Sequence, residues 1–441
     1  VDNSYNPDIA PLSADFTFFG GLYRDVYLVY TSPVQLSTTH YASSGVYLKT
    51  VGITDAQAEV CAKTFLSNAL KSNQALILET EILDTDGNRV ALSAKKVNVK
   101  AGEKNVAFEA LMTIAQPKRW DVDSPYLYKV YSRLKNKKGE VLDCVVNPLG
   151  IREYHFDAEK GFFLNGKYRK LIGTSRHQDY KGMGNALRDE MHIRDIQLSK
   201  DMGSNFLRVA HYPQDPAFMD ACDEMGLFVI VATPGWQYWN KNPEFAKLVH
   251  RNTREMIRRD RNHPSVLMWE PILNETPYPR DFALEALRIT WEEFPYPGRP
   301  VAAADVHSKG VAENYDVVYG WPGDDEKADR PEQCIFTREF GENVDDWYAH
   351  NNNNRASRSW GERPLLVQAL SLSKSYDEMY RTTGQFVGGA QWHPFDHQRG
   401  YHPDPYFGGI YDAFRQPKYA YYAFRSQSAA TLKHPVAECE I

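Results

Sequence analysis

The sequence predicts a multi-domain β and α/β chain: an immunoglobulin-like β-sandwich followed by a (β/α)8 barrel, with a remnant of another β domain in front. Three observations predict this. Residues 31–155 hold seven short strand-like runs separated by turn signals. After Tyr154 the rhythm changes to eight apolar runs with helical stretches between them. Nearly every one of those runs starts apolar and ends polar or aromatic, as strands do when they present chemistry at one mouth of a barrel. A doubly wound sheet is the alternative, and no GxGxxG after a strand supports it.

In chain order, residues 1–30 end in Leu22-Tyr23-Arg24-Asp25-Val26-Tyr27-Leu28-Val29, which alternates like one strand of a sheet. One strand cannot bury its own face, so this segment reads as the end of a β domain or as a strand added to its neighbour. Residues 31–153 form the sandwich, with strands expected at 46–51, 58–67, 74–83, 93–99, 105–113, 127–134 and 141–148. Asp86-Gly87-Asn88, Ala101-Gly102 and Lys138-Gly139 supply turns. Residues 154–430 form the barrel, with strands expected at 171–177, 205–212, 228–236, 266–275, 301–307, 316–323, 334–342 and 386–396. Helices are expected at 190–202, 216–225, 244–261 and 280–293. Residues 351–354, four asparagines, read as an exposed loop, and 431–441 as a tail or the start of another domain.

Composition narrows the function. Of 441 residues, 42% are hydrophobic and 24% charged, as in an ordinary soluble globular chain. No apolar run reaches membrane-spanning length, so no membrane insertion is expected. A net charge of −6 argues against a nucleic-acid partner. The five cysteines lack a CxxC pair and suit neither a disulfide framework nor a zinc site. The 27 Tyr, 21 Phe and 9 Trp suit a large core first, and flat walls for a sugar second.

The strand ends carry the chemistry. Glu275 ends the fourth run and Glu339 the seventh. Hydrolysis of a glycosidic bond needs two such carboxyl groups, one protonated to serve the leaving oxygen and one ionised. A single strand-end Glu is more often a rim ion pair; two on one barrel favour function. Glu270, mid-strand before Pro271, and Glu342 are rivals better read as supporting residues. Asn274 is placed to bind a sugar hydroxyl. Arg208 can grip the Glu339 carboxylate, and Tyr319 can donate to the same group, although core packing explains a tyrosine equally well. His177, Asp179, His211, Trp236, His307, Trp321, Trp392 and His393 also stand at strand ends and suit a sugar pocket. The histidines form no HxxxH or HxH pair, so no metal site is expected. Ser175 and Ser371 lack the GxSxG elbow of a serine hydrolase.

These residues resemble glycoside hydrolase family 2, the β-galactosidases, β-glucuronidases and β-mannosidases. Phe19-Gly20-Gly21-Leu22-Tyr23-Arg24-Asp25-Val26 resembles the end of the family's jelly-roll sugar-binding domain. Trp120, Pro125-Tyr126-Leu127-Tyr128 and Gly150-Ile151-Arg152 resemble its sandwich. Phe163-Leu164-Asn165-Gly166-Lys167, Asn205-Phe206-Leu207-Arg208-Val209-Ala210-His211-Tyr212-Pro213 and Cys222-Asp223-Glu224-Met225-Gly226-Leu227 resemble its barrel. The resemblance implies Glu275 as general acid/base and Glu339 as nucleophile. It implies Arg208 and Tyr319 as residues orienting that nucleophile, and a retaining mechanism with carboxylates about 5–5.5 Å apart. Three departures stand out: Leu273 where a glycine usually precedes Asn-Glu, Phe340-Gly341 after the nucleophile, and Ala232-Thr233-Pro234 where many members carry a Glu. The third weakens any expectation of magnesium.

The resemblance implies an exo-acting enzyme removing terminal β-galactosyl residues, with oligosaccharides of algal or plant polysaccharides as substrates. β-Glucuronidase and β-mannosidase are its rivals, and a non-catalytic carbohydrate-binding relative is the alternative outside the enzymes. No cofactor is expected, with a metal ion beside the site left open, as is a homo-oligomer. A periplasmic or extracellular location is expected, the cytoplasm being the alternative.

Overall fold

The computed structural model describes residues 2, 4–10, 14, 16–294, 302–305, 310–322, 332–341, 355–400 and 405–428. The expectations for His307, Glu342, the four asparagines and the 431–441 tail lie outside the described residues.

The sandwich forms where the alternation predicts it. One sheet comprises β1 (Val34–Leu36), β2 (Val46–Ile53), β3 (Gln57–Asn68) and β6 (Val106–Ala115), with β3 pairing all three others. The other runs β10 (Val141–Leu149), β9 (Tyr128–Lys135), β4 (Gln74–Leu83), β5 (Arg89–Val99). All its pairs are antiparallel. Along β4 and β9 every second residue is buried, so Leu76, Leu78, Ile82, Val130 and Leu134 meet Val60, Met112 and Ile114 between the sheets. A two-residue hairpin, β7 (Trp120–Asp121) with β8 (Ser124–Pro125), and a small sheet of β11 (Tyr154–Asp157), β12 (Gly161–Leu164) and β13 (Lys167–Arg169) lead into the barrel.

Eight parallel strands make the barrel: β14 (Leu171–Arg176), β15 (Phe206–Val209), β16 (Phe228–Ala232), β17 (Val266–Glu270), β18 (Ala303–Asp305), β19 (Val317–Tyr319), β20 (Cys334–Phe340) and β21 (Phe386–Gln391). They lie in the order β17-β16-β15-β14-β21-β20-β19-β18, and a parallel bridge from Trp269 to Ala302 joins the two outer strands. Both faces of β14 to β17 are buried, which is why their sequences run apolar without alternation. The helices include α1 (Asp189–Asp201), α2 (Pro216–Met225), α3 (Pro243–Asp260), α4 (Arg280–Glu293), α5 (Glu362–Arg381) and α6 (Tyr419–Gln427). Two have starts written in the sequence. Asp215 and Asn242 accept from the Ala217 and Glu244 N–H, and each is followed by proline at the first helical position. Gly226 ends α2 with φ +74°; a Cβ there would lie 2.5 Å from the Val122 carbonyl oxygen.

The stretch before β17 fastens sandwich to barrel. Asn262 accepts from the Leu48 N–H and donates to the Val46 carbonyl and the Asn147 side chain. Arg152, ending the sandwich, donates to the carbonyls of Pro264 and Val266. Trp120, fully buried, donates its indole N–H to the Asp223 carbonyl at 2.8 Å. The N-terminal segment also reaches the barrel: Phe16 is buried against His177, His211 and Tyr212, while residues 22 and 26–30 leave apolar side chains exposed.

Leu273, unexpected in the sequence, has a packing reason. It is buried in a cluster with Ala10, Phe245, Val249 and Phe282. Its Cδ2 sits where a Cβ on Gly235 would be, 2.5 Å away, so the missing glycine's space is ceded from the facing loop. Leu273→Ala should therefore cost about 2–5 kcal/mol of stability, read as a lower urea midpoint at constant slope.

Candidate active site

The described strand ends gather at one mouth, as parallel pairing requires. Arg208, on β15 and fully buried, lies at the centre. Its Nη1 donates to Glu339 Oε1 at 2.6 Å. Its Nε and Nη2 form a two-pronged bond to Glu270, 2.8 Å each, and Nη2 also reaches Asn274 Oδ1 at 3.1 Å. The expectation for Tyr319 is corrected here: its hydroxyl donates to Glu270 Oε2 at 2.9 Å rather than to Glu339. The guanidinium carbons of Arg208 and Arg338 each lie 5.7 Å from the centre of the Tyr319 ring.

Glu339 reaches the mouth on a strand whose pairing is irregular. Four residues of β20, Thr337 to Phe340, lie opposite three of β21, Gly389 to Gln391. The extra residue breaks strict alternation, so adjacent Arg338 and Glu339 both act on the site. Burial pushes the Glu339 carboxyl above the usual range, with the Glu275 charge adding to it, against the pull of Arg208 and Arg338. His211 Nε2 stands 4.0 Å from Glu339 Oε1.

Glu275 sits in the loop beyond β17, where Trp236 and Asn274 form a parallel bridge that extends the strand pairing. Its side chain is 37% exposed, accepts from Gln237 Nε2 at 2.8 Å and lies 3.7 Å from Arg338 Nη2. Glu275 and Gln237 both have positive φ, +48° and +45°, a costly left-handed backbone for residues with a Cβ. Asn274 is buried; its Nδ2 has no partner among the described residues.

Histidines and aromatics form the adjoining wall. Trp392 stacks on His211 with centroids 5.5 Å apart and planes 14° apart, and His177 meets Trp392 edge-on at 5.2 Å. Burial holds His177 and His211 well below the ordinary histidine range, with neighbouring histidines and Arg208 adding to it at His177 and Arg208 and Arg338 at His211, so both rings are neutral. His177 Nε2 and His211 Nδ1 are buried without a partner among the described residues. Two expected sugar-binding residues are otherwise engaged. His393 takes the His177 N–H on Nε2 and bonds the Phe395 carbonyl through Nδ1, which spends both ring nitrogens inside the protein. Asp179 is buried, and its Oδ2 accepts from the Gln398 N–H. Trp321 is half exposed. Sequence reasoning missed Gln237, Arg338 as a neighbour of Glu275, Phe16, and His397, whose ring centre lies 4.8 Å from that of His177. Of these only Arg338, beside Glu339, carried a local signal.

Cys61, Cys144, Cys222 and Cys334 are free, and no helix among the described residues is long and apolar enough to cross a membrane. A cavity of about 430 Å³ lies not at the carboxylates but between the N-terminal segment and α3, lined by Phe16, Phe18, Phe19, Tyr23, Arg24 and Arg259 among others.

Known proteins agree with this arrangement. The family model for "Glycosyl hydrolases family 2, TIM barrel domain" matches residues 157–382, and that for "Glycosyl hydrolases family 2" matches 44–152. A β-glucuronidase of Bacteroides fragilis is 34% identical over 90% of this chain and 60% of its own length. A β-galactosidase of Thermoanaerobacter pseudethanolicus is 29% identical over 99% of this chain and 56% of its own. Among solved structures, the Bacteroides uniformis β-glucuronidase superposes with a TM-score of 0.84 at 30% identity, covering 96% of this chain and 55% of that one. The chain thus spans less than two thirds of the length of these relatives. By its barrel, its sandwich and the carboxylates at its mouth, the chain belongs to glycoside hydrolase family 2.

Proposed function

We propose that the chain carries the catalytic part of a retaining exo-β-glycosidase that removes a terminal β-galactosyl residue, with Glu339 as nucleophile and Glu275 as acid and then base. The observation that carries this reading is a buried carboxylate gripped by Arg208, facing a second, accessible carboxyl whose charge bears on the first. The Arg208 bond orients one Glu339 oxygen and favours its ionised form against burial. The other oxygen is left to attack the anomeric carbon, while Glu275 gives its proton to the departing oxygen. Glu275 then takes a proton from the water that releases the sugar, and the two inversions leave the configuration unchanged.

Neutral His177 and His211 and the Asn274 amide offer unspent hydrogen-bonding atoms to hydroxyl groups rather than a charge to a carboxylate, and this supports a neutral hexoside. β-Glucuronide hydrolysis is the second reading, favoured by the names of the two Bacteroides relatives. Assays with 4-nitrophenyl β-galactoside, β-glucuronide and β-mannoside separate these readings, and NMR of the first-formed sugar reads the configuration. Cleavage of none, with sugar binding intact, would sink the enzyme reading. Glu275→Gln should slow hydrolysis of a glycoside with a poor leaving group by about 10²–10⁴-fold. Glycosylation by a 2,4-dinitrophenyl glycoside, which needs no proton, should be nearly untouched; equal losses on both steps would remove Glu275 from the acid role.

A further inference from the structure

Glu270 is a buried carboxylate that the mechanism above leaves unused. It is 1% exposed, ends β17, and its backbone carbonyl pairs with the Thr233 N–H. Three donors converge on its two oxygens: Arg208 Nη2 on Oε1, and Arg208 Nε and the Tyr319 hydroxyl on Oε2. A protonated carboxyl could donate only to the Tyr319 hydroxyl, since the guanidinium cannot accept, and would weaken the two-pronged ion pair to Arg208. The hydrogen-bond pattern therefore assigns Glu270 as ionised.

That assignment changes the charge balance of the mouth. The charged groups lie in a row: Glu270, Arg208, Glu339, then Arg338 and Glu275. Among the described residues this row holds three carboxylates and two guanidinium groups, one negative charge in surplus. The other titratable groups facing Glu339 among the described residues are His211, held neutral, and Tyr319, whose phenol burial keeps protonated. A retaining glycosidase needs one proton shared between its two catalytic carboxyl groups. A negative charge fixed at Glu270 favours its retention. Without Glu270, the two guanidinium groups would balance Glu339 and Glu275 both ionised, and the acid would be missing. The bond has a second effect: it anchors Arg208 through two of its nitrogens, leaving Nη1 aimed at Glu339.

We propose that Glu270 is a positioning residue for the glycosidase reaction: it fixes Arg208 against Glu339 and supplies the surplus negative charge that retains the catalytic proton. This rests on the reading of Glu339 as nucleophile. Tyr319 serves Glu270, and only through it Glu339.

The test compares Glu270→Gln, which keeps the shape and removes the charge, with Glu270→Asp, which keeps the charge and shortens the reach. Removing the negative charge favours the ionised forms of Glu339 and Glu275. Both limbs of the kcat/KM pH profile should then move to lower pH in Glu270→Gln, by about one unit. In Glu270→Asp the limbs should stay at their wild-type positions while kcat falls. A merely structural role would lower the rate in both variants without moving either limb. Covalent labelling by 2,4-dinitrophenyl 2-deoxy-2-fluoro-β-galactoside, or the matching glucuronide, reports Glu339 alone. Its rate should persist to lower pH in Glu270→Gln than in the wild type. If the wild type is labelled at Glu339 and Glu270→Gln shows the same pH dependence, the role of Glu270 is refuted and the nucleophile stands. If the wild type is labelled at another residue, the nucleophile reading itself has failed. Should Glu270→Gln not fold, Glu270→Asp still decides: limbs displaced despite the retained charge would overturn the proposal.

Discussion

Glu339→Gly should lower turnover of an aryl glycoside by on the order of 10⁴-fold or more, the scale seen when a nucleophile is removed, and azide should restore part of it. On the proposed reading the carboxylate has two duties. It must form the covalent bond to the anomeric carbon, and it must leave again when water attacks. Arg208 holds it at 2.6 Å, and the shortened side chain would leave that guanidinium N–H facing open space. A small anion fits such a space and attacks from the same face. The rescued product should therefore be a glycosyl azide of inverted configuration, identifiable by NMR. Unchanged turnover in the variant would show that another group is the nucleophile, and Glu270, already committed to Arg208 and Tyr319, could not take its place without giving up those bonds.

The second large effect concerns stability. Arg176, at the end of β14 and fully buried, donates through Nε and Nη2 to Asp195 on α1 at 3.1 and 2.7 Å. Arg415, from the loop before α6, donates to both oxygens of the same carboxylate at 2.9 and 3.0 Å, and to the Asp179 carbonyl at 2.8 Å. Asp195→Asn removes the anion that both buried guanidinium groups grip. The expected loss is about 3–5 kcal/mol at neutral pH, because the cations remain buried without compensation. The pH dependence has a definite sign. Burial works to raise the Asp195 carboxyl, but Arg415 and Arg176 outweigh it and hold it below the ordinary aspartate range. The wild type's advantage should thus be complete above about pH 5, beyond the unfolded-state value near 3.9, and should shrink as pH falls through the lower folded value. Urea midpoints of wild type and variant across that range measure it; a gap that stays constant down to pH 3 would contradict the charge explanation.

Features written in neighbouring residues were legible in advance. Period-two burial along β4 and β9, and Asp215-Pro216 and Asn242-Pro243 at helix starts, follow from local rules, and the sequence places the strands accordingly. Glu275 and Glu339 were visible because each follows an apolar run. Partnerships were not visible, because they join residues far apart in the chain. Arg208 meets Glu270 across 62 positions, and Tyr319 chooses between two carboxylates by a few ångströms that no pattern encodes. His393 looked like a sugar ligand because it ends a strand; only the fold shows that the His177 N–H and the Phe395 carbonyl claim its nitrogens. Leu273 looked like a departure because Ala10 and Gly235, which make room for it, lie in other segments.

Arg152 limits how the chain can be cut and reassembled. An engineer grafting the barrel onto another scaffold would be drawn to cut near residue 154, where the sequence changes rhythm. That cut would discard the guanidinium that serves the carbonyls of Pro264 and Val266, and with Trp120 the indole that holds the Asp223 carbonyl. The first loss falls at the foot of the strand whose far end leads to Glu275, and the second on α2, whose Asp223 carboxylate takes the Ser265 N–H at that same foot. A transplantable unit must therefore begin ahead of Trp120 and carry the rear of the sandwich as part of its own foundation.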